Sequence, residues 1–543
     1  MPETVLQLDP RDNVLVALTT LDLGSKVQLG SASCMVTQTI PAKHKMALVD
    51  LKPGDIIFMY GMVVGEVVEA IPRGGLLTTR NIRHRAADYT AARHTASHSV
   101  PDASAWAGRT FMGYLRADGQ VGTRNYWIVL PLVFCENRNI EQMRDALEEE
   151  LGYGRIKSKY RQHVRELIQR QGNGHNLAEL AAEARHERVF PNLDGVRFLP
   201  HQGGCGGTRQ DSQALCGLLA GYIHHPNVAG ATVLSLGCQH AQASILMEEL
   251  RARDPQLRKP VLIVDQQSAG QESALMQQAL DKTFAALAEA NRTERAPAPL
   301  AALTVGLQCG GSDGFSGISA NPTVGYVSDL VVGSGGTTML SEFPELHGVE
   351  QELINRCKTD ELAARFRDLM QSYAASARAV NSDFAFNPSP GNIRDGLITD
   401  AIKSAGAARK GGESPISGVL DYPEYVSARG FNLQCTPGND VESVTAQVGA
   451  GSNIVLFTTG LGTPTGSPIA PVVKISTSTT LAERMSDIID FDAGLIVSGK
   501  STIRESAEKL LELSIEVASG ERLTKSELNN QSDFIPWKRG VSL

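Results

Sequence analysis

Between residues 110 and 310 five short apolar runs follow one another: YWIVLPLVF, GVRFLPH, ATVLSLG, PVLIVD and LTVGLQ. Helix-patterned segments separate them, at 140–151, 178–186, 244–253 and 272–291. Strands with no polar face must be covered on both sides, and helices between them supply the cover, so this alternation predicts a parallel α/β sheet with crossovers. The texture resumes in TTMLSE, a helix at 348–356 and a longer one near 360–380.

A chain of 543 residues exceeds one hydrophobic core. Before the α/β texture begins, short runs such as NVLVALTTL, KMALVDL and MVVGEVVEAI, broken by KPGD and PRGG, read as a small β module. After it, FNPSPGN breaks the pattern, and SPISGVL, NIVLFTTG, AGLIVSG and a helix at 502–519 read as a second lobe. The expected division is a β module at 1–95, a linker at 96–109, a central α/β domain at 110–385 and a C-terminal α/β domain at 386–543.

Net charge is −8, which argues against a nucleic-acid or anionic-membrane partner. No stretch approaches the length of an apolar membrane span, and MPETVLQLDPRDNV is unlike a leader sequence, so a cytoplasmic location is expected. In that compartment the eight cysteines are reduced, and thiols at special places read as ligands or nucleophiles.

Four apolar runs lead into cysteine: Cys135, Cys205, Cys238 and Cys309, three of them beside glycine. C-terminal strand ends of a parallel sheet share one edge, where ligands bind, so four thiols distant in sequence are expected to converge there. Thiolates suit iron, zinc or an iron–sulfur cluster. Taken singly, each cysteine also fits a small buried hydrophobe. In AKHKMAL, His44 and Lys45 open a strand, and His44 suits proton transfer near neutral pH. Arg124 and Asn125 in GTRNYW precede a strand, and Arg124 suits a carboxylate clamp. Glu342 ends another strand, where it suits a metal or a proton. FTTGLGTPTGSP offers backbone N–H groups and hydroxyls for an oxygen-rich ligand.

Taken together, HKMALVDLKPGDIIFMYG, GQVGTRNYWIVLP, LSLGCQ, LQCGGSDGFSGISANPTVGYVSDL, NPSPGN, TTGLGTPTGSP and PVVKISTST span nearly the whole chain. In these stretches the chain resembles the altronate/galactarate dehydratase family of sugar-acid dehydratases. LSEFPELHGVEQELINRC resembles the altronate branch and AIPRGG the galactarate branch. A longer segment at 152–194 and the glycine-rich HQGGCGGTRQD depart from the family pattern.

The resemblance implies a β-clip, SAF-like N-terminal module on a two-lobed parallel α/β body. It implies a hydro-lyase that abstracts the C2 proton of D-altronate and expels the C3 hydroxyl, giving 2-keto-3-deoxy-D-gluconate in hexuronate catabolism. It also implies a cofactor of iron, as Fe2+ or with Mn2+ in its place; an iron–sulfur cluster on the strand-end cysteines stays open. In that setting His44, Lys45 and Glu342 are the expected proton-transfer groups. Cys205, Cys238, Cys309 and Cys135 are the expected metal ligands. Arg124, Asn125, Ser312, Asp313, Asn387, Asn392, Thr463 and Thr465 are expected to bind the carboxylate and hydroxyls. The partner is a small sugar acid, and a homo-oligomer is compatible with the reading. Galactarate as substrate, or an iron–sulfur redox or sensing protein, are the alternatives.

Overall fold

The computed structural model describes residues 4–29, 32–90, 92–94, 100–153, 163–164, 167 and 187–542. The expected helix at 178–186 and most of the long segment at 152–194 lie outside them. The chain forms two compact units, one of residues 1–113 with 297–537, the other of 114–296 with 538–543.

The larger unit begins with the β module. Val5–Leu6, Val14–Ala17 and Lys45–Ala47 pair antiparallel, as do Lys26–Leu29 with Ala32–Met35, and Ile56–Met59 with Met62–Val67 and Ile82–Arg83. Alternate apolar residues turn inward to a small core that includes Leu15, Ala17, Leu21, Val27, Ile40 and Met46.

The body of this unit is one seven-stranded parallel sheet. Its spatial order is Ile416–Leu420, Gly430–Gln434, Thr337–Leu340, Thr304–Cys309, Ile454–Thr459, Val472–Ser476 and Phe491–Asp492. The five strands between the two edges are buried along their length, apart from Thr304, as near-continuous apolar runs demand. Helices Ala320–Gly333 and Asp440–Gly449 connect strands of the sheet, and Ile503–Ala518, after the last strand, packs against the first of them. The smaller unit holds a four-stranded parallel sheet in the order Gly195–Phe198, Tyr126–Pro131, Val228–Ser235, Val261–Asp265. Helices Asn137–Glu150 and Glu272–Ala290 pack on it, closing a core around Trp127, Val129, Ile140, Met143 and Leu275.

The α/β class and the β module agree with expectation, but the internal boundary does not. A cut at 385/386 would divide the seven-stranded sheet, which takes strands from both sides of it. FNPSPGN marks a surface turn, whereas the division between units falls at 296/297. Local breaks in pattern report turns; only strand pairing reports which segments share a sheet.

Candidate active site

Strand Thr304–Cys309 and strand Ile454–Thr459 are neighbours, and the sheet order reverses between them. Such a reversal leaves a crevice beyond the C-terminal strand ends, where open α/β sheets bind ligands. CGGSDG follows one strand and the Gly/Thr loop follows the other. Backbone bonds from Gly310 N–H to Thr458 O (3.0 Å) and Gly460 N–H to Gly311 O (3.0 Å) knit the two loops together. At Gly310 a Cβ would stand 2.1 Å from Asp440 Oδ2, so only glycine lets that carboxylate approach.

Cys309 ends the central strand, fully enclosed. Its Sγ lies 2.5 Å from Lys410 Nζ, 3.3 Å from Glu345 Oε2 and 3.8 Å from Glu342 Oε2. Strand Thr337–Leu340 delivers Glu342, whose left-handed φ of 67° turns the chain into the 3-10 turn Phe343–Leu346 that carries Glu345. Helix Asp400–Ala408 supplies Lys403 and the turn after it, Arg409–Gly411, supplies Lys410. Lys410 Nζ is 3.4 Å from Glu342 Oε2. Lys403 Nζ is 2.7 Å from Glu345 Oε1 and donates to Asn387 Oδ1 at 2.5 Å.

These groups have very different proton affinities. Burial, with the nearby Glu345, pushes Glu342 up to about 8. Burial also pushes Glu345 up, but Lys403 and Lys410 outweigh it and hold that carboxyl below its ordinary value. Burial and then Glu345 raise Asp440 to about 6. The Cys309 thiol is pushed far up, mainly by burial. Burial opposes the charge on Lys410, yet Cys309, Glu342 and Glu345 keep its ammonium above the ordinary value. Neighbouring carboxyls whose affinities are driven apart divide naturally into an acid and an anion. Glu342 Oε1 is buried without a hydrogen-bond partner.

The β module reaches the same loops. Lys43 Nζ lies 2.8 Å from Asp313 Oδ2 and 3.4 Å from Asp395 Oδ1. At Gly314 a Cβ would sit 2.4 Å from the Lys43 carbonyl, which explains the bare loop. His44 Nε2 donates to Arg394 O at 3.0 Å, leaving Nδ1 as an acceptor, and burial lowers its pKa. Lys45 is buried, donates to Gly396 O (2.6 Å) and Lys43 O (3.0 Å), and burial brings it down to about 7.

The other expected residues separate into two groups. Ser312 and Asp313 belong to the CGGSDG loop and Thr463 and Thr465 to the Gly/Thr loop, while Asn387 follows the turn Phe384–Phe386 and meets Lys403. Asp313 is fully buried and also accepts from Thr477 Oγ1 at 3.0 Å. A Cβ at Gly311 would stand 2.8 Å from Thr463 Oγ1. The Thr465 carbonyl accepts from buried Lys474. Asn392 is different: its Oδ1 accepts from Ser389 N–H in a capping box and its Nδ2 donates to Ser312 O at 2.8 Å, so both polar ends serve the backbone. Arg124 and Asn125 are corrected too. They stand before strand Tyr126–Pro131, at the edge opposite its C-terminal end, and both are buried. Arg124 donates to Thr123 O at 2.7 Å and Asn125 to Asn192 O at 2.9 Å.

Nor do the four cysteines share one sheet edge. Cys309 ends a strand of the seven-stranded sheet, whereas Cys135, Cys205 and Cys238 lie in loops beyond three strands of the four-stranded sheet. Those three are exposed, and their loops are joined by Phe134 N–H to Gly203 O (3.1 Å) and His240 N–H to Gly204 O (2.9 Å). Thiolates suit iron or an iron–sulfur cluster, but among the described residues these three sulfurs do not form a group with ligand atoms within 4.8 Å of one another. Cys309, Glu342 and Glu345 bring three ligand atoms within 4.8 Å of one another, but Lys410 already balances their charge, and with it in place they do not fit a metal.

Lys43, Glu345, Lys403, Lys410 and Asp440 were not singled out from sequence. Glu345 was within reach, three residues after Glu342 in LSEFPEL; Lys403 and Lys410 carry no local signal.

A strand-order reversal in an α/β sheet, with two buried carboxyls set against two lysines and the His44–Lys45 loop on the same unit, is the arrangement of an enzyme of acid–base chemistry. Family profiles match in three consecutive pieces: altronate/galactarate dehydratase SAF domain at residues 3–85, D-galactarate dehydratase/altronate hydrolase second domain at 113–291, and D-galactarate/altronate dehydratase C-terminal at 300–542. The chain is 32% identical to the altronate dehydratases of Escherichia coli (99% of both chains) and Bacillus subtilis (100% of both), and 32% identical to the E. coli galactarate dehydratase (L-threo-forming) over 91% of this chain and 89% of that one. The chain belongs to the altronate/galactarate dehydratase family, and it is a hydro-lyase acting on a sugar acid.

Proposed function

We propose that this hydro-lyase converts D-altronate to 2-keto-3-deoxy-D-gluconate in hexuronate catabolism. The C2–H bond gives up its proton to a base, the C3–O bond breaks, and the hydroxyl leaves as water after taking a proton from an acid. The enol so formed tautomerises to the 2-keto acid. The observation that carries this reading is the buried carboxyl pair Glu342 and Glu345, set at a strand end against Lys410 and Lys403.

Glu342 keeps its proton at neutral pH and is the acid for the departing hydroxyl. His44 Nδ1 is the base, and Lys45, with its ammonium weakened by burial, moves the second proton. Ser312, Asp313, Asn387, Thr463 and Thr465 hold the substrate's oxygens. Iron, as Fe2+ or a cluster, or Mn2+ in its place, is the cofactor proposed on the thiols of Cys135, Cys205 and Cys238. A cytoplasmic location, a small sugar-acid partner and a homo-oligomer belong to the same reading, and the net charge of −8 weighs against nucleic acid and anionic membrane. Among the described residues no helix is long and apolar enough to cross a membrane.

Two full-length relatives named altronate dehydratase favour D-altronate over galactarate. Turnover of D-altronate and meso-galactarate by the anaerobically purified enzyme tests this, with altronate expected to be the faster by at least about tenfold, or ~1.4 kcal/mol in the barrier. Equal or faster turnover of galactarate overturns the assignment. Iron and acid-labile sulfide analysis of the same preparation tests the cofactor: full activity without iron removes it.

A further inference from the structure

We infer that His84, His347 and Asp400 form a binding site for a divalent transition-metal ion, apart from the Cys309 cluster and from the three exposed thiols. Each side chain offers one ligand atom, and these atoms lie within 4.8 Å of one another. Asp400 is fully buried, and neither of its carboxylate oxygens has a hydrogen-bond partner. Native proteins rarely bury a polar group without a partner, and a carboxylate left so calls for a cation. His84 Nδ1 is likewise buried without a partner.

His347 is oriented for the task. Its Nδ1 is 2.9 Å from Glu350 Oε1, and the other oxygen of that carboxylate accepts from Gly348 N–H at 2.6 Å. With Nδ1–H given to Glu350, Nε2 carries the lone pair. Metal-binding histidines are held in this way, with the second ring nitrogen donating to a carboxylate that fixes tautomer and angle. The His84 and His347 rings stack with centroids 5.4 Å apart and planes 25° from parallel, so the two imidazoles approach the same space from neighbouring directions. Two imidazoles and one carboxylate suit borderline divalent ions such as Fe2+, Co2+ and Zn2+.

The three ligands come from separate segments. His84 follows strand Ile82–Arg83 of the β module. His347 follows the turn that carries Glu345, and Asp400 opens the helix that carries Lys403. An ion bound here ties the β module to the body and fixes the two elements that position the Glu345–Lys403 pair. The assignment concerns metal binding and does not depend on the dehydratase reading.

Co2+ titration of the chelator-treated full-length chain tests it, read by absorption and X-ray absorption, in a parent chain carrying Cys135→Ser, Cys205→Ser and Cys238→Ser so that the exposed thiols take no metal. One equivalent of Co2+ is expected in a nitrogen- and oxygen-only shell with two imidazoles, together with a rise in Tm. Adding His347→Ala or Asp400→Asn should weaken that equivalent at least about tenfold and abolish the Tm shift, while adding Cys309→Ser keeps both. If these further variants do not fold, the X-ray absorption of the parent chain decides. No bound Co2+ in the parent chain, sulfur in its shell, fewer than two imidazoles, undiminished binding in both folded variants or its loss with Cys309→Ser overturns the site.

Discussion

Lys410 Nζ lies 2.5 Å from the Cys309 sulfur, and both side chains are enclosed at the end of the central strand. The contact joins residues about a hundred positions apart and determines what the thiol at the end of LTVGLQC can do. With an ammonium against it, and Glu342 and Glu345 within reach of both, the thiol belongs to a charge-balanced network.

Removing Lys410 leaves that network short of positive charge with no solvent to compensate. Lys410→Met should lower the unfolding free energy by about 3–5 kcal/mol, the usual cost of breaking a buried ion pair from one side. Adding Glu345→Gln should recover at least ~1 kcal/mol, because Glu345 is the carboxylate that Lys410 helps hold ionised. Denaturant titration of the single and double variants measures both; simple additivity would mean that the contact is not an energetic pair.

Glu342 makes stability depend on pH in a definite direction. Its ordinary carboxyl value is 4.5, and in the folded chain it is raised to about 8. The folded state therefore holds this proton more tightly than the unfolded state. The contribution is complete below the unfolded value, and is lost as pH rises through about 8. Denaturation midpoints followed from roughly pH 5 to 9 should show this decline, and Glu342→Gln should flatten it. If Glu342 is also the acid, the alkaline fall in wild-type turnover near pH 8 disappears from the residual activity of the variant.

Replacing His44 by Ala should reduce turnover on the order of 10²–10⁴, the usual contribution of a positioned proton-transfer group. The fold should survive, since the imidazole makes one hydrogen bond, to Arg394 O. Circular dichroism checks the fold and steady-state kinetics the rate. Near-wild-type turnover would remove His44 from the proposed chemistry.

Asn392 has its polar atoms committed to Ser389 and Ser312. Asn392→Ala should therefore cost stability, by about 1 kcal/mol for the broken capping box, with KM for the sugar acid nearly unchanged. A large rise in KM at unchanged stability would return Asn392 to the substrate-binding set.

Much of the fold was legible because the signals are local. Apolar runs of five or six residues between amphipathic segments announce a parallel sheet wherever they occur. The expected helices at 140–151, 244–253, 272–291 and 502–519 appear as Asn137–Glu150, Ala243–Arg253, Glu272–Ala290 and Ile503–Ala518. Glycines in CGGSDG signalled close approach, and the structure supplies the neighbours, Asp440 and Lys43. Arg124 and Asn125 misled because a loop before a strand and a loop after one look alike in composition, although only the latter opens on the ligand edge.

The sequence by itself determined the class of fold, the β module, the His44 loop and the cysteines placed after strands. Each follows from periodicity or turn chemistry within a few residues. The tertiary structure decided which strand ends meet: it parted Cys309 from Cys135, Cys205 and Cys238, and brought Lys403 and Lys410 to Glu345 and Glu342. Strand order is set by packing between distant segments, and the charge state of a buried carboxyl is set by whichever cation that packing delivers.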